Sequence, residues 1–273
     1  MSGLAEITLA DGSVRRMGNV SRAHDPARCS APPFGSTDAT PLVPRSQWDA
    51  LITTLTPGPD FAFLPPVHDQ DGVGECNPES VTTALESCRM QQGLPYVQLS
   101  APDLYDRING GQDQGSMLED AMAEVMKTGV GTAATSGTLW KQGHWKGSAP
   151  AAERARFRVL EAFLCPTFDH CMSAVLSGFR LVTGIMWANN YTPDRDGWLP
   201  RPQGNAGGHA IFGYKPAKRG TSYGIYHQNS WGETWGDRGR FVIPESAYSG
   251  PVGGWWALRS VTDEGGVVPA ETA

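Results

Sequence analysis

The chain has no apolar run long enough to cross a bilayer and no cluster of basic residues. Its longest apolar stretches, such as residues 182–188, fall short of the roughly 20 residues that a transmembrane helix needs. Basic residues occur at most in pairs such as Arg15-Arg16, and the formal net charge is -6, so no nucleic-acid partner is indicated. Residues 1–20 are polar and lack the apolar centre of a secretory signal. We expect no membrane partner, no signal peptide and a cytoplasmic location by default.

Cysteine is scarce, and its number is odd. At least one thiol therefore has no partner within the chain, and without a signal peptide most of the thiols are expected to stay reduced. The five are Cys29, Cys76, Cys88, Cys165 and Cys171. A metal site at Cys165, His170 and Cys171 lacks a fourth ligand nearby, so buried thiols or one local disulfide fit better. We expect no metal and no organic cofactor.

Proline and glycine are frequent, and they divide the chain into three parts. Residues 1–60 are predicted to be an irregular N-terminal arm, because five prolines between positions 26 and 44 disfavour long helices and paired strands. Only residues 46–55 in this part have a helical pattern. Residues 61–262 are predicted to be one folded domain, and residues 263–273 a frayed tail.

Within the domain, the apolar pattern changes near residue 178. Helices are predicted at residues 77–92, 100–108, 116–129, 151–164 and 170–177. Short strands are predicted at residues 181–187, 209–214, 223–229, 239–243 and 255–261. A helical lobe (about 61–178) followed by a β-rich lobe (about 179–262) indicates an α+β fold with a cleft between two lobes.

Four residues, in chain order, could together form a thiol nucleophile site. Cys76 follows Gly72-Val73-Gly74 at the mouth of a predicted helix, where the helix dipole and free N–H groups favour a thiolate. Cys88 lies in the interior of the same helix and is better explained as a buried apolar residue. His209 opens an apolar strand and is the candidate base. We expect its ring to lie across the cleft within or near hydrogen-bonding reach of Cys76.

Two amides complete the candidate site. The carboxamide oxygen of Asn229 can accept the imidazole N–H of His209 and fix the ring, while Trp231 can cover that bond from water. Gln70 can donate its side-chain N–H to a developing oxyanion, with the backbone N–H of Cys76 as the second donor. An isolated histidine or asparagine would more often have a structural role. Here the catalytic interpretation rests on the occurrence of Gln70, Cys76, His209 and Asn229 in this order along the chain.

These motifs resemble those of the papain-like cysteine peptidases, over roughly residues 65–262. The spacing from Gln70 to Cys76 is the family's spacing. Gly-His-Ala-Ile-Phe-Gly-Tyr from Gly208 matches the family's histidine motif, and residues 229–239 match Asn-Ser-Trp-Gly-x-x-Trp-Gly-x-x-Gly at every fixed position. The residue after the nucleophile, usually tryptophan, is Asn77 here, and residues 1–60 do not resemble the helical propeptide of secretory members. The chain looks nearer to bacterial and phage-borne relatives.

The resemblance implies a papain-like α+β fold, with a helical lobe whose central helix carries the cysteine and a β-barrel-like lobe. It implies a cysteine endopeptidase that hydrolyses polypeptides through a Cys-His-Asn thioester mechanism, without a cofactor. Catalytic roles fall on Cys76, His209 and Asn229, the oxyanion hole on Gln70 and Cys76, and support on Trp231. A substrate pocket with apolar preference is expected at Gly74, Ile185, Met186, Gly208 and Ala210.

Two alternatives remain open at this stage. The scaffold could serve, active or inactive, as a structural component of a virus particle or another assembly, in which case the chain would be virion-associated. An active site could also use an isopeptide or a cell-wall cross-link as substrate. The arm is expected either to cross the cleft as an inhibitor or to dock on a partner.

Overall fold

The computed structural model describes residues 4–20, 23–55, 63–143, 147–248, 251–259 and 261–262. The helices are α1 Arg45–Leu55, α2 Cys76–Gln91, α3 Ala101–Ile108, α4 Leu118–Lys127, α5 Ala133–Ser136, α6 Ala151–Arg154 and α7 Phe168–Leu176, with a 3-10 turn at Glu245–Ala247. The strands are β1 Ala5–Thr8, β2 Val14–Met17, β3 Ala162–Leu164, β4 Arg180–Trp187, β5 Gly207–Arg219, β6 Ser222–Gln228, β7 Arg240–Pro244 and β8 Pro251–Leu258. Among the described residues, no helix is long and apolar enough to cross a membrane.

Helix α2 is the centre of the molecule. It begins at Cys76, and Pro78 lies in its first turn, where a missing N–H costs no hydrogen bond. Side chains from Cys76 to Arg89 are buried on every face, because α3 and α4 pack on one side and the sheet strands β4 and β5 on the other. The polar residues of this helix are therefore interior groups whose partners must be found within the protein.

The β lobe is one six-stranded sheet in the order β3-β8-β4-β5-β6-β7, with every pair antiparallel. The register of β4 with β5 places Ile185 opposite His209 and Met186 opposite Gly208. The histidine therefore lies near the beginning of β5, at the end of the sheet that faces the start of α2. The structure thus confirms the α+β fold with two lobes.

Two segments differ from the sequence prediction. The helix predicted at residues 151–164 ends at Arg154, and Ala162–Leu164 instead pairs with the edge of β8. The arm is not irregular throughout, because β1 and β2 form an antiparallel hairpin with Ala5 opposite Met17. The helix predicted at 46–55 is present as α1. The predicted tail, residues 263–273, lies outside the described residues.

Candidate active site

Cys76 lies at the start of α2 with its side chain fully buried. Burial raises the pKa of the Cys76 thiol to about 11, which is the reverse of the thiolate stabilisation expected from the helix terminus. Four backbone N–H groups directed at the sulfur lower the pKa only in part; they belong to Ala210, Gly18, Asn77 and Asn19. The thiol is therefore protonated at neutral pH in this arrangement, because desolvation outweighs the helix N-terminus.

His209 is held by the residues that the sequence singled out. Its Nε2 lies 2.8 Å from Oδ1 of Asn229, and its ring packs on Trp231 with centroids 4.8 Å apart. Trp187, which the sequence analysis missed, meets the imidazole edge-on at 5.2 Å. Burial lowers the pKa of His209 to about 4, although the hydrogen bond that its ring donates to Asn229 acts in the opposite direction. The ring is neutral at pH 7, and its orientation is fixed.

The second ring nitrogen of His209, Nδ1, is buried without a hydrogen-bond partner among the described residues. The two lobes meet at this point, where the backbone N–H of Ala210 lies close enough to the sulfur of Cys76 to lower its pKa. The structure therefore brings Cys76 to the strand that carries His209, but it does not contain the thiol–imidazole hydrogen bond. Backbone N–H groups of the arm, from Gly18 and Asn19, lie near the sulfur in place of the imidazole.

A stretch of the arm, residues 16–20 (the cleft segment), occupies the groove between the lobes. The N–H of Asn19 donates to the carbonyl of Gly208 at 3.1 Å. On the opposite wall, Ser116 donates to the carbonyl of Gly18 at 2.8 Å and accepts from the N–H of Val20 at 3.1 Å. Extended backbone pairing to both walls is the way in which a peptide adds to an exposed strand edge.

Glycines make this close approach of backbones possible. A Cβ added to Gly18 would lie 1.9 Å from the carbonyl oxygen of Gly74, and one added to Gly208 would lie 2.0 Å from the carbonyl oxygen of Asn19. Gly115, at φ +76°, would place a Cβ 2.4 Å from the carbonyl oxygen of Gly18. The absence of a side chain at Gly208 is thus explained by the arm that packs against it.

Gln70 contacts the same segment. Its Nε2 donates to the carbonyl of Arg16 at 3.0 Å and to that of Val73 at 2.6 Å, while its Oε1 accepts from the Ser230 hydroxyl at 2.7 Å. The hydrogen bond from Ser230 orients the amide so that its N–H groups face the groove. A peptide carbonyl therefore already occupies the donor that was assigned to an oxyanion.

The predicted pocket residues take different places. Gly74 and Gly208 form the walls around the cleft segment, and Ala210 contacts Cys76. Met186 is half-buried beside Gly208, whereas Ile185 lies within the core of the β lobe. The side chain of Asn19 enters a slot that the sequence did not indicate, where its Nδ2 donates to the Val252 carbonyl at 2.7 Å.

Asn77, the departure from the usual tryptophan, has a clear structural role. Its Nδ2 donates to the carbonyl of Ser116 at 2.8 Å, and Ser116 is the residue that pairs with the cleft segment. Asn77 thus ties the start of α2 to the outer wall of the groove. Ser116 itself was missed, because a single buried serine after a glycine carries no recognisable pattern.

A separate group of charges surrounds His68. His68 is buried between two carboxylates of α2, with Nδ1 3.0 Å from Glu79 and Nε2 3.4 Å from Glu86. Burial alone would lower the pKa of His68, but the charges of Glu86 and Glu79 and the hydrogen bond to Glu79 raise it well above its ordinary value. The imidazolium ties the loop that carries Gln70 to the central helix.

Replacement of His68 by alanine is expected to destabilise the fold by about 3–5 kcal/mol, since it leaves two buried carboxylates without their cation. The folded-state pKa lies above the unfolded value of about 6.5, so the contribution of His68 is fully present in mild acid and declines as the pH rises through the folded pKa. Thermal unfolding measured between pH 5 and 9 checks both points. His170→Ala, at a half-exposed histidine, is the control, and an equal loss in both variants would refute the role of His68.

Known proteins share this fold. Neither protein-family models nor curated protein sequences gave a match. Among solved structures, xylellain, a cysteine protease from Xylella fastidiosa, aligns with 18% identity and a TM-score of 0.65 over 90% of this chain and 97% of its own. Digestive procathepsin L 3 of Tenebrio molitor aligns with 16% identity and a TM-score of 0.61 over 89% and 77%, and bromelain from Ananas comosus with 19% and 0.59 over 75% and 96%. The chain therefore has the fold of the papain-like cysteine proteases, as its cysteine, histidine and asparagine motifs predicted.

Proposed function

We propose that the protein is a cysteine peptidase that hydrolyses polypeptides with Cys76 as nucleophile. The observation that supports this best is the cleft segment itself. It is an extended polypeptide paired to both walls of the groove, with the Arg16 carbonyl on the Gln70 amide and backbone N–H groups at the Cys76 sulfur. The groove thus accepts a peptide backbone at the residues that the chemistry requires.

The reaction would use each group in turn. The thiolate of Cys76 attacks the peptide carbonyl carbon, and the side-chain N–H of Gln70 and the backbone N–H of Cys76 hold the resulting oxyanion. The leaving amine takes its proton from the imidazolium of His209, and water then hydrolyses the thioester with the same ring as base. Asn229 and the cover of Trp231 keep the ring oriented through both steps.

The arm is proposed to hold this site in a resting state. It fills the groove, buries Cys76 and leaves both catalytic groups neutral, so no thiolate–imidazolium pair forms while the arm is in place. Displacement of the cleft segment would admit water, which favours the charged forms, and would clear the space for the sulfur to meet the free Nδ1 of His209. The alternative role, docking on a partner, predicts no change in turnover when the arm is displaced.

Covalent labelling tests the nucleophile. An active-site-directed thiol epoxide should attach to Cys76 in a chain whose arm has been loosened, and peptide mapping by mass spectrometry locates the adduct. The Cys88 thiol, buried in the middle of α2, is the internal control and should remain unlabelled. Labelling of several cysteines to a similar extent would argue against the proposed nucleophile. So would labelling of other cysteines while Cys76 stays unlabelled.

The pH dependence of alkylation tests the resting state. With a thiol pKa of about 11, only about 10⁻⁴ of Cys76 is thiolate at pH 7, so its reaction with iodoacetamide in the intact chain should rise nearly tenfold per pH unit between pH 6 and 9. In a chain with a displaced arm, the rate should be far higher at pH 7 and level off within this range. Identical profiles for the two chains would show that the arm does not control the thiol.

A further inference from the structure

Two consecutive arginines of β2 pair with carboxylates on two different loops beside the groove. The guanidinium of Arg15 lies 2.7 Å from Oδ2 of Asp69, and that of Arg16 lies 2.5 Å from Oδ2 of Asp113. Successive side chains of a strand point to opposite faces, so an extended basic dipeptide meets both carboxylates at once. The two acidic residues are 44 positions apart and belong to different loops.

Each carboxylate is oriented by the body of the protein and not by the arm. Oδ1 of Asp69 accepts the N–H of Asp71 at 2.9 Å. Oδ1 of Asp113 accepts the N–H of Gly74 at 2.8 Å and the hydroxyl of Tyr105 at 2.9 Å. In both residues the second oxygen, Oδ2, is the one that faces an arginine. The two acceptors therefore persist when the arm leaves, and they are already positioned for a new cation.

Both carboxylates belong to the immediate surroundings of the proposed chemistry. Asp69 directly precedes Gln70, and Asp113 is bonded to Gly74, two residues before Cys76. One partner of each pair is largely withdrawn from water, since the side chains of Arg15 and Asp113 are 7% and 18% exposed, while Asp69 and Arg16 are 40% and 39% exposed. Charge-assisted hydrogen bonds in such positions are stronger than the exposed ion pairs of an ordinary surface.

We propose that Asp69 and Asp113 form a recognition site for basic side chains of the polypeptide substrate, which Arg15 and Arg16 occupy in cis. This inference rests on the proposed peptidase function, and it names the substrate class as polypeptides with arginine or lysine beside the cleaved bond. It differs from the apolar preference that the sequence indicated. The preference for basic side chains is inferred from Arg15 and Arg16 of the arm, which occupy this site in the structure.

The test uses the 273-residue chain with Gly18→Ala, a substitution expected to loosen the arm because the added Cβ would lie 1.9 Å from the carbonyl oxygen of Gly74. Fluorogenic peptides that carry arginine are compared with the same peptides carrying citrulline, a neutral side chain of nearly the same shape. We expect kcat/KM to favour arginine by on the order of tenfold or more at low salt, as one charge-assisted hydrogen bond provides. Asp113→Asn and Asp69→Asn should each reduce this ratio, whereas Asp38→Asn, the same change of charge at an exposed residue away from the groove, should preserve it.

The ratio of kcat/KM for the arginine and citrulline peptides distinguishes substrate recognition by the two aspartates from a role in holding the arm alone. If the two aspartates only hold the arm, Asp113→Asn raises turnover of both peptides equally, the ratio stays unchanged and the proposal fails. Binding of the labelled peptides to the Gly18→Ala chain with Cys76→Ala, followed by fluorescence anisotropy, does not depend on cleavage. If the Cys76→Ala chain binds the arginine peptide selectively but the chain that retains Cys76 does not cleave it, the recognition site is supported and the peptidase function is refuted. If the chain that retains Cys76 cleaves both peptides equally well, the peptidase function is supported and the recognition site is refuted.

Discussion

Replacement of Cys76 by alanine is expected to abolish peptide hydrolysis, with a loss on the order of 10⁶ in kcat, as deletion of a nucleophile causes in other peptidases. The loss follows because the acyl intermediate of the proposed mechanism forms on the sulfur that this substitution removes. His209 and Asn229 keep their hydrogen bond in the variant, but an imidazole alone activates water poorly. The measurement is turnover of a fluorogenic peptide in the Gly18→Ala background, where the groove is accessible.

The matched control is Cys88→Ala, in the same helix. Cys88 is buried in the core, where its thiol donates a weak hydrogen bond to the Leu258 carbonyl at 3.7 Å. Its replacement should leave turnover nearly unchanged, with at most a modest loss of stability from the small cavity. If the Cys76 variant kept its rate, the nucleophile assignment would fail, and the interpretation as a non-catalytic scaffold in an assembly would gain support.

The placement of His209 against Asn229 and Trp231 could be predicted from the sequence, because the motifs around these residues encode local backbone. The run after Asn229 fixes a tight turn with glycines at positive φ, such as Gly232 and Gly236, and it places a tryptophan over the histidine. The glycine loop before Cys76 and the proline after it fix where α2 begins. In each case a few adjacent residues determine the geometry, so a pattern in the sequence is sufficient.

Crossing of the cleft was one of two roles expected for the arm, but its contacts could not be predicted, because they join residues far apart in the chain. Gly18 fits against Gly74, and Asn19 fits against Gly208, because glycine side chains are absent there, and no periodicity in residues 1–20 signals that match. The hairpin of β1 and β2 has only four residues in each strand, which is marginal without a surface to pack on. The same reason explains β3, where pairing with β8 overrides the local helical pattern.

The state of the thiol shows the same limit. From the sequence, the start of a helix predicts a lowered pKa for Cys76, which is correct for a hydrated site. In the structure the pKa is raised, because the backbone of the cleft segment seals the sulfur from water. The electrostatics of this site therefore follow from what covers it, and the covering segment lies 58 positions earlier in the chain, at Gly18.

Replacement of Gly18 by alanine is expected to raise peptide turnover by roughly 10- to 100-fold. The added methyl group strains the docked arm by about 1–3 kcal/mol, and this strain shifts the equilibrium toward the undocked arm by the same factor. The added Cβ would lie 1.9 Å from the carbonyl oxygen of Gly74, a backbone atom held by the loop next to Cys76. This neighbour cannot move away as a flexible side chain could, so the cleft segment must leave the groove. Val14→Ala, at an exposed position of the same arm, should leave turnover unchanged.

Deletion of residues 1–45 distinguishes the two roles of the arm. If the arm is an inhibitor, its deletion raises turnover; if it docks on a partner, its deletion abolishes binding of that partner and leaves turnover unchanged. Turnover that is equal in wild type, Gly18→Ala and the deleted chain, with intact folding in all three, would refute self-inhibition.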